Sequence, residues 1–213
     1  MTVRALTRFL LTFSIWNGGE SGTSERFTGW TDVGLSNKGR YEASAAADQI
    51  STYSYEIDYC FTSQLSRALD TTSTVLDTLR KSQKHLPPAV KDFRLNERHY
   101  GALQGYIKKE VEQGKYGHDP KLVKLWRRSW DIVPPLLEED DPRREAELRL
   151  YSEICGGSHN VPLGESLEMV AKYRVRPFLD EVLTPTLNSM GKKRTDGGAT
   201  GLVIAHANSL RGK

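Results

Sequence analysis

The stretch IDYCFTSQLSRALDTTSTVLDTL, Ile57–Leu79, decides the fold class. Its first part, IDYCFTS, is β-branched and aromatic, which predicts a short strand over Ile57–Ser63. The period then changes. In SRALDTTSTVLDTLRKSQ, residues Ala68, Leu69, Thr72, Val75, Leu76 and Leu79 fall on one face of a helix. An apolar strand passing directly into an amphipathic helix is the repeating unit of a parallel sheet, because parallel neighbours need a crossover between them.

The alternation extends both ways. Upstream, RFLLTFSIWNGGESGTSERFTGW, Arg8–Trp30, opens with Phe9, Leu11, Phe13 and Ile15 alternating with Leu10, Thr12, Ser14 and Trp16, the period of a first strand. It runs into a Gly- and Ser-rich turn and then Thr28-Gly29 between aromatics, a loop suited to receiving an anion on its backbone N–H groups. LSNKGRYEASAAADQIS follows, with Ser36 as N-cap of a helix ending near Ser51. Downstream, Pro87 and Pro88 break the second helix, and VKDFRLN reads as another strand. Asp119 and Pro120 supply a cap and first turn for a helix with Leu122, Leu125 and Trp126 on one side.

ESLEMVAKYRVRPFLDEVLTPTL is helical, with a kink expected at Pro177. Leu202–Ala205 is a buried strand with His206 at its C-terminal end. Residues 131–163 are proline-punctuated and charged, and read as a surface insertion within one domain spanning 1–213. The whole predicts an α/β fold, a three-layer α/β/α arrangement with a mostly parallel sheet. Its ligand site should lie beyond the C-terminal ends of the strands.

Composition narrows the function. The 213 residues carry 30 Lys and Arg against 27 Asp and Glu, a net charge of +3, so bulk charge does not indicate a nucleic-acid partner. Cys60 and Cys155 lack the spacing of a metal or redox site, which fits a reducing compartment. No run approaches the length of a membrane span. The first nineteen residues contain Arg4 and Arg8 and no acid, a faint presequence pattern, so a mitochondrial location stands as the alternative to the cytoplasm.

Several strand ends present polar groups: Ser63–Arg67 after the second strand, Arg94–Gly101 after the third, His206 and Asn208 after the last. Each alone has an ordinary explanation. Glu97 could be a surface carboxylate, His206 a hydrogen-bonded core histidine. Arg127 and Arg128, adjacent on a helix, point about 100° apart and read equally as a solvated basic face or an anion clamp. Lys108 and Lys109 are as ambiguous. With Arg67 and Arg98 they would suffice for a small, highly charged phosphoester.

RFTGWTDVGLSNKGRYEA, FTSQLSRALDTT, RLNERHYGALQG, KYGHDPKLVKLWRRSW, LGESLEMVAKYRVRPFLDEVL and VIAHANSLR fall in the order seen in the cofactor-dependent phosphoglycerate mutases. The chain resembles that family, within the histidine phosphatase superfamily, over most of residues 26–211. The resemblance implies interconversion of 2- and 3-phosphoglycerate, in glycolysis and gluconeogenesis, through a phosphohistidine primed by 2,3-bisphosphoglycerate, with no metal. It implies that Glu97 moves the proton of the substrate hydroxyl, that His206 stabilises the phosphoryl group, and that Arg67 contacts the group in transfer. Thr28, Gly29, Arg98, His99, Tyr100, Lys108, Arg127, Arg128 and Asn208 match the family's substrate-holding positions. The implied partners are small-molecule phosphoglycerates, with no nucleic acid or membrane, and the implied assembly is a homodimer or homotetramer.

Three features depart from the family. Its nucleophilic histidine stands in an Arg-His-Gly-Glu-Ser signature. Counting back from Phe27 puts the Arg-His-Gly positions on Ile15, Trp16 and Asn17, whereas aligning GGES on the signature puts Gly18 where the histidine belongs, two residues short of the family spacing. The histidines are His85, His99, His118, His159 and His206, none before residue 80. Ala207 replaces a family glycine, and the family continues beyond the position of Lys213, so a truncated C-terminal part is expected. An inactive relative that binds phosphoglycerates, or a phosphatase of the same superfamily, are the alternatives to the mutase.

Overall fold

The computed structural model describes residues 10–14, 25–53, 56–83, 85–191 and 199–211. Four strands, β1 (Leu10–Ser14), β2 (Tyr59–Thr62), β3 (Ala89–Lys91) and β4 (Gly201–Ala205), form one sheet in the order β1-β4-β2-β3. Every pairing is parallel, with Cys60 opposite both Leu202 and Ala89, and Thr12 opposite Val203. The first strand expected from the alternation at Phe9–Trp16 is therefore present. Of the presequence pattern, residues 1–9 and 15–19 lie outside the described residues.

Period-2 alternation in β4 sets the layers. Leu202 and Ile204, with Cys60 of β2, pack beneath α1 (Asn37–Ser51) and α2 (Ser66–Leu79), against Ala43, Ala47, Ile50, Ala68, Val75, Leu76 and Leu79. Val203 and Ala205, with Phe61, face the other way onto Leu95, Phe178 and Leu183. The latter two belong to a long helix over residues 167–191. This is the three-layer α/β/α arrangement, and all five residues of β4 are buried because both faces of the sheet are covered. Each buried aliphatic of this core contributes about 1.5–3 kcal/mol.

The local signals act as their chemistry dictates. Ser36 Oγ accepts from the Gly39 N–H at 3.1 Å and starts α1. Asp119 Oδ1 accepts from the Lys121 N–H at 2.8 Å and, with Pro120, starts α4 (Pro120–Arg128), which follows the short α3 (Lys108–Glu112). Around Pro177 the long helix takes wider π-type turns, Ala171–Val175 and Leu179–Leu183, on either side of Arg176–Phe178. That accommodates a residue that cannot donate to the i−4 carbonyl.

Three expectations change. VKDFRLN does not remain a strand: β3 ends at Lys91, and Asp92 Oδ1 accepts from the Arg94 N–H at 2.9 Å, capping a 3-10 turn over Phe93–Leu95. In α4 the buried residue is Val123, while Leu122 and Leu125 are exposed and Trp126 is half-buried. Residues 131–163, expected on the surface, also supply core. Tyr151 at the end of α5 (Pro142–Tyr151), Cys155 and Val161 pack with Trp30 and Leu65.

Candidate active site

The C-terminal ends of β2 and β4 are neighbours, so the residues that follow them meet. His206, fully buried directly after β4, places Nε2 3.0 Å from Ser63 Oγ, directly after β2. Burial holds the His206 imidazole well below its ordinary titration range, and the charges of Arg67 and Arg174 push it the same way. The ring is neutral near pH 7. Its Nδ1 has no hydrogen-bond partner.

Arg67, in the first turn of α2, is fully buried. Nη1 donates to the Thr31 carbonyl at 3.1 Å and Nη2 to the Gly29 carbonyl at 2.7 Å, fastening α2 to the Thr-Gly turn. Nε has no partner. Burial lowers the Arg67 pKa from its usual value, while Glu97 and Asp32 oppose that shift. Gly29 sits at φ 49°, and a Cβ there would lie 2.0 Å from Gln104 Oε1, the atom that accepts from the Trp30 N–H at 2.7 Å. Only glycine fits that turn without displacing the glutamine.

The turn after β3 carries Glu97, Arg98, His99 and Tyr100. Glu97 Oε1 accepts from its neighbour's backbone N–H at 2.8 Å and from Asn208 Nδ2 at 2.9 Å. Asn208 Nδ2 also lies 2.9 Å from the Tyr100 hydroxyl, so the C-terminal helix (Ala207–Arg211) is bound directly to the Glu97 turn. Arg98 is fully buried, with its guanidinium carbon 4.7 Å from the Tyr100 ring centroid. One nitrogen donates to the Trp126 carbonyl, and the others, Nε and Nη1, have no partner.

Three buried guanidinium donor positions are thus unpartnered, Arg67 Nε and Arg98 Nε and Nη1, together with the Asn96 amide nitrogen and the ring nitrogen His206 Nδ1. Unsatisfied buried polar atoms are costly, and charged ones more so, so these groups are available to an anionic ligand. A phosphoester or bisphosphoglycerate suits that donor set. Among the described residues no group of three or more His, Cys, Asp or Glu is arranged to hold a metal ion.

The remaining expected residues separate. Thr28 lies half-buried beside Gly29. Arg127 turns inward, its guanidinium 6.0 Å from the Phe27 ring centroid and paired with Glu112, whereas Arg128 is exposed. Lys108 pairs with Glu25 at 3.2 Å, and Lys109 is exposed. The His99 ring is committed elsewhere. Nδ1 accepts from the Gly101 N–H at 2.9 Å, so Nε2 carries the proton and donates to Glu147 Oε2 at 2.9 Å. Ala207 opens a helix, a backbone that alanine adopts readily. Ile15, Trp16 and Asn17 lie outside the described residues.

Gln104, Glu147, Glu165 and Arg174 were not among the residues expected from sequence. Gln104 Nε2 donates to Glu147 Oε1 at 2.6 Å, while Arg174 and Glu165 form a buried ion pair at 2.8 Å. One signal was available. Arg174 stands at helical spacing between the buried Val170 and Phe178, a charge within an apolar stripe.

A fold of this kind, with buried arginines and a histidine meeting at the ends of parallel strands, is that of the histidine phosphatases. The model described as histidine phosphatase superfamily (branch 1) matches residues 18–143, and the chain belongs to that superfamily, within its phosphoglycerate mutases. It is 42% identical over 198 residues to 2,3-bisphosphoglycerate-dependent phosphoglycerate mutase 2 of Lactiplantibacillus plantarum, covering 93% of this chain and 76% of the relative. It is 40% identical over 211 residues to the 2,3-bisphosphoglycerate-dependent phosphoglycerate mutase of Hamiltonella defensa, covering 99% of this chain and 76% of that one. Among solved structures, mycobacterial glucosyl-3-phosphoglycerate phosphatase superposes with a TM-score of 0.58 at 22% identity, over 88% of this chain and 68% of that one, a likeness of fold. The family is one of enzymes.

Proposed function

We propose that the chain is a phosphoglycerate mutase, with 2- and 3-phosphoglycerate held at the C-terminal ends of β2 and β4. One observation carries the reading: the three unpartnered guanidinium positions on Arg67 and Arg98, with the unpartnered ring nitrogen of His206. They are buried, come from separate segments, and suit a multiply charged phosphoester better than a neutral ligand. Arg67 and His206 hold the phosphoryl group. Glu97, already oriented by Asn208 and its own turn, passes the proton to and from the substrate hydroxyl. When bound, 2,3-bisphosphoglycerate supplies the phosphoryl group that primes the exchange, and the same cations would hold it. Thr28, Lys108, Arg127, Arg128, Tyr100 and Asn208 complete the substrate-holding set, and a cytoplasmic location goes with the activity.

A second reading rests on a specific feature of the sequence. Residues 15–17 are Ile-Trp-Asn, where the resemblance places Arg-His-Gly, and the ring of His99 is already committed to Glu147 and Gly101. A chain that keeps the anion site without that nucleophile would bind phosphoglycerates and not turn them over. Hydrolysis needs the same histidine, so a phosphatase gains nothing from the difference.

Calorimetry with 3-phosphoglycerate and 2,3-bisphosphoglycerate, followed by an enolase-coupled assay, separates the two. Binding with bisphosphate-dependent turnover supports the mutase, and binding alone supports the second reading. Absence of binding by either ligand removes both.

A further inference from the structure

A buried ion pair brackets the backbone of the Glu97 turn. Arg174, 4% exposed, donates through Nε to Glu165 Oε1 and through Nη2 to Glu165 Oε2, both at 2.8 Å. Its remaining capacity goes to the turn: Nη1 to the Asn96 carbonyl at 2.7 Å and Nη2 to the Glu97 carbonyl at 3.2 Å. Glu165 completes the bracket. Oε2 accepts from the His99 N–H at 2.8 Å, and its own N–H donates to the His99 carbonyl at 3.0 Å. Trp30 Nε1 adds a second donor to the Glu97 carbonyl at 2.7 Å, and the Arg174 guanidinium carbon is 5.6 Å from the Trp30 ring centroid.

We propose that Arg174, held by Glu165, is a positioning residue of the site: it fixes the backbone of residues 96–99 so that Glu97 and Arg98 face the bound anion. The function rests on the reading above, but the geometry does not. A turn has no ladder of its own, and its backbone carbonyls must be satisfied from outside. Here one buried guanidinium and one carboxylate satisfy groups on three of four successive residues. A fixed first layer needs such a second layer, since small errors in the placement of reacting groups cost rate and affinity. Arg174 makes no side-chain hydrogen bond to a side chain expected to contact substrate, so its part is to orient and not to react.

The test uses the whole chain and two readouts. Hydrogen exchange of the Arg98 and His99 amides is measured without ligand in Arg174→Lys, and in Glu165→Gln should the first fail to fold. Arg144→Met is the reference, because Arg144 is as buried and likewise bonds backbone carbonyls, at Val161 and Ser158, in another region. Selective acceleration at Arg98 and His99 by about tenfold or more, beyond the change shared with Arg144→Met, is the expected result. Acceleration no greater than in that reference overturns the proposal.

The second readout is 3-phosphoglycerate affinity by calorimetry, expected to fall roughly tenfold in the Arg174 variant and little in Arg144→Met. If the parent binds and Arg174→Lys binds equally well, the proposal fails. If the parent does not bind at all, the functional reading fails, and the amide exchange alone decides the positioning role.

Discussion

His206 Nε2 lies 3.0 Å from Ser63 Oγ, joining the ends of β4 and β2 at the floor of the site. The imidazole is fully buried and its pKa is held well below 6.5, first by burial and then by the charges of Arg67 and Arg174. In the unfolded chain the same ring titrates near 6.5. Below that pH the unfolded state therefore takes up a proton that the folded state refuses. Stability falls as pH drops from about 6.5 toward the folded pKa, by as much as about 1.4 kcal/mol per pH unit, and His206 contributes no such loss above that range. Urea unfolding from pH 7 to pH 5 in phosphate-free buffer should show this slope, and His206→Asn should flatten it. An unchanged slope in the variant would mean that other groups carry it.

Arg98 poses a conflict between stability and binding. Two of its guanidinium nitrogens are buried without partners in the ligand-free chain. Arg98→Met should therefore change stability little, the lost bond to the Trp126 carbonyl offsetting the relief of the unpartnered nitrogens, while removing donors worth about 1.5–3 kcal/mol each to a charged ligand. The expected loss of 3-phosphoglycerate affinity is at least a hundredfold on that scale. Saturating ligand should raise the melting temperature of the parent and not of the variant. A destabilised variant that still binds would place Arg98 in the core and not in the site.

Much of the architecture was legible because its signals are local. Ser36 and Asp119 cap helices through side chain to backbone bonds within three residues, and the apolar run at β4 announces a strand covered on both sides. The strand ends were legible as a group, since parallel connectivity brings Ser63, Arg67 and His206 to one edge of the sheet. VKDFRLN was misleading for a local reason as well: its β-like pattern competes with Asp92, whose carboxylate turns the chain into a 3-10 turn. Non-local choices were not readable. Whether α4 buries Val123 or the pair Leu122 and Leu125 depends on Phe27, Leu103 and Val111, which pack against Val123 from distant segments. Likewise the His99 ring is claimed by Glu147, 48 residues on, so no spacing rule could separate it from its neighbours in the turn.

Gly29 offers a test of the Thr-Gly turn that does not depend on ligand. Alanine there would need φ near 49° and would place its Cβ 2.0 Å from Gln104 Oε1. The clash ejects the glutamine from its bonds to the Trp30 N–H and to Glu147. Gly29→Ala should cost about 1–3 kcal/mol through the strained backbone alone, and more through the displaced glutamine. Removing the obstacle first should relieve part of the loss. In Gly29→Ala with Gln104→Ala the two costs should sum to less than the separate effects, by about 0.5 kcal/mol or more. Strict additivity in denaturant unfolding would show that the two side chains do not compete for that space.

Arg127 and Arg128 should part company when mutated. Arg127 leans over Phe27 and is paired with Glu112, whereas Arg128 is exposed on the same last turn of α4. A phosphoglycerate that recruits Arg127 must draw it from a carboxylate, so part of its Coulombic gain offsets the lost pair. Such a half-exposed pair is worth about 0.2–1 kcal/mol. Glu112→Gln should therefore tighten 3-phosphoglycerate binding by a factor of about 1.5–5 at low salt. The gain should shrink as ionic strength rises and the exposed pair is screened. Arg127→Ala should weaken binding and abolish any effect of Glu112→Gln, while Arg128→Ala should leave that effect in place. Calorimetry on the three single variants and the two doubles that carry Glu112→Gln, at two salt concentrations, is sufficient. If Glu112→Gln weakens binding instead, the carboxylate orients Arg127 for the anion and does not compete with it.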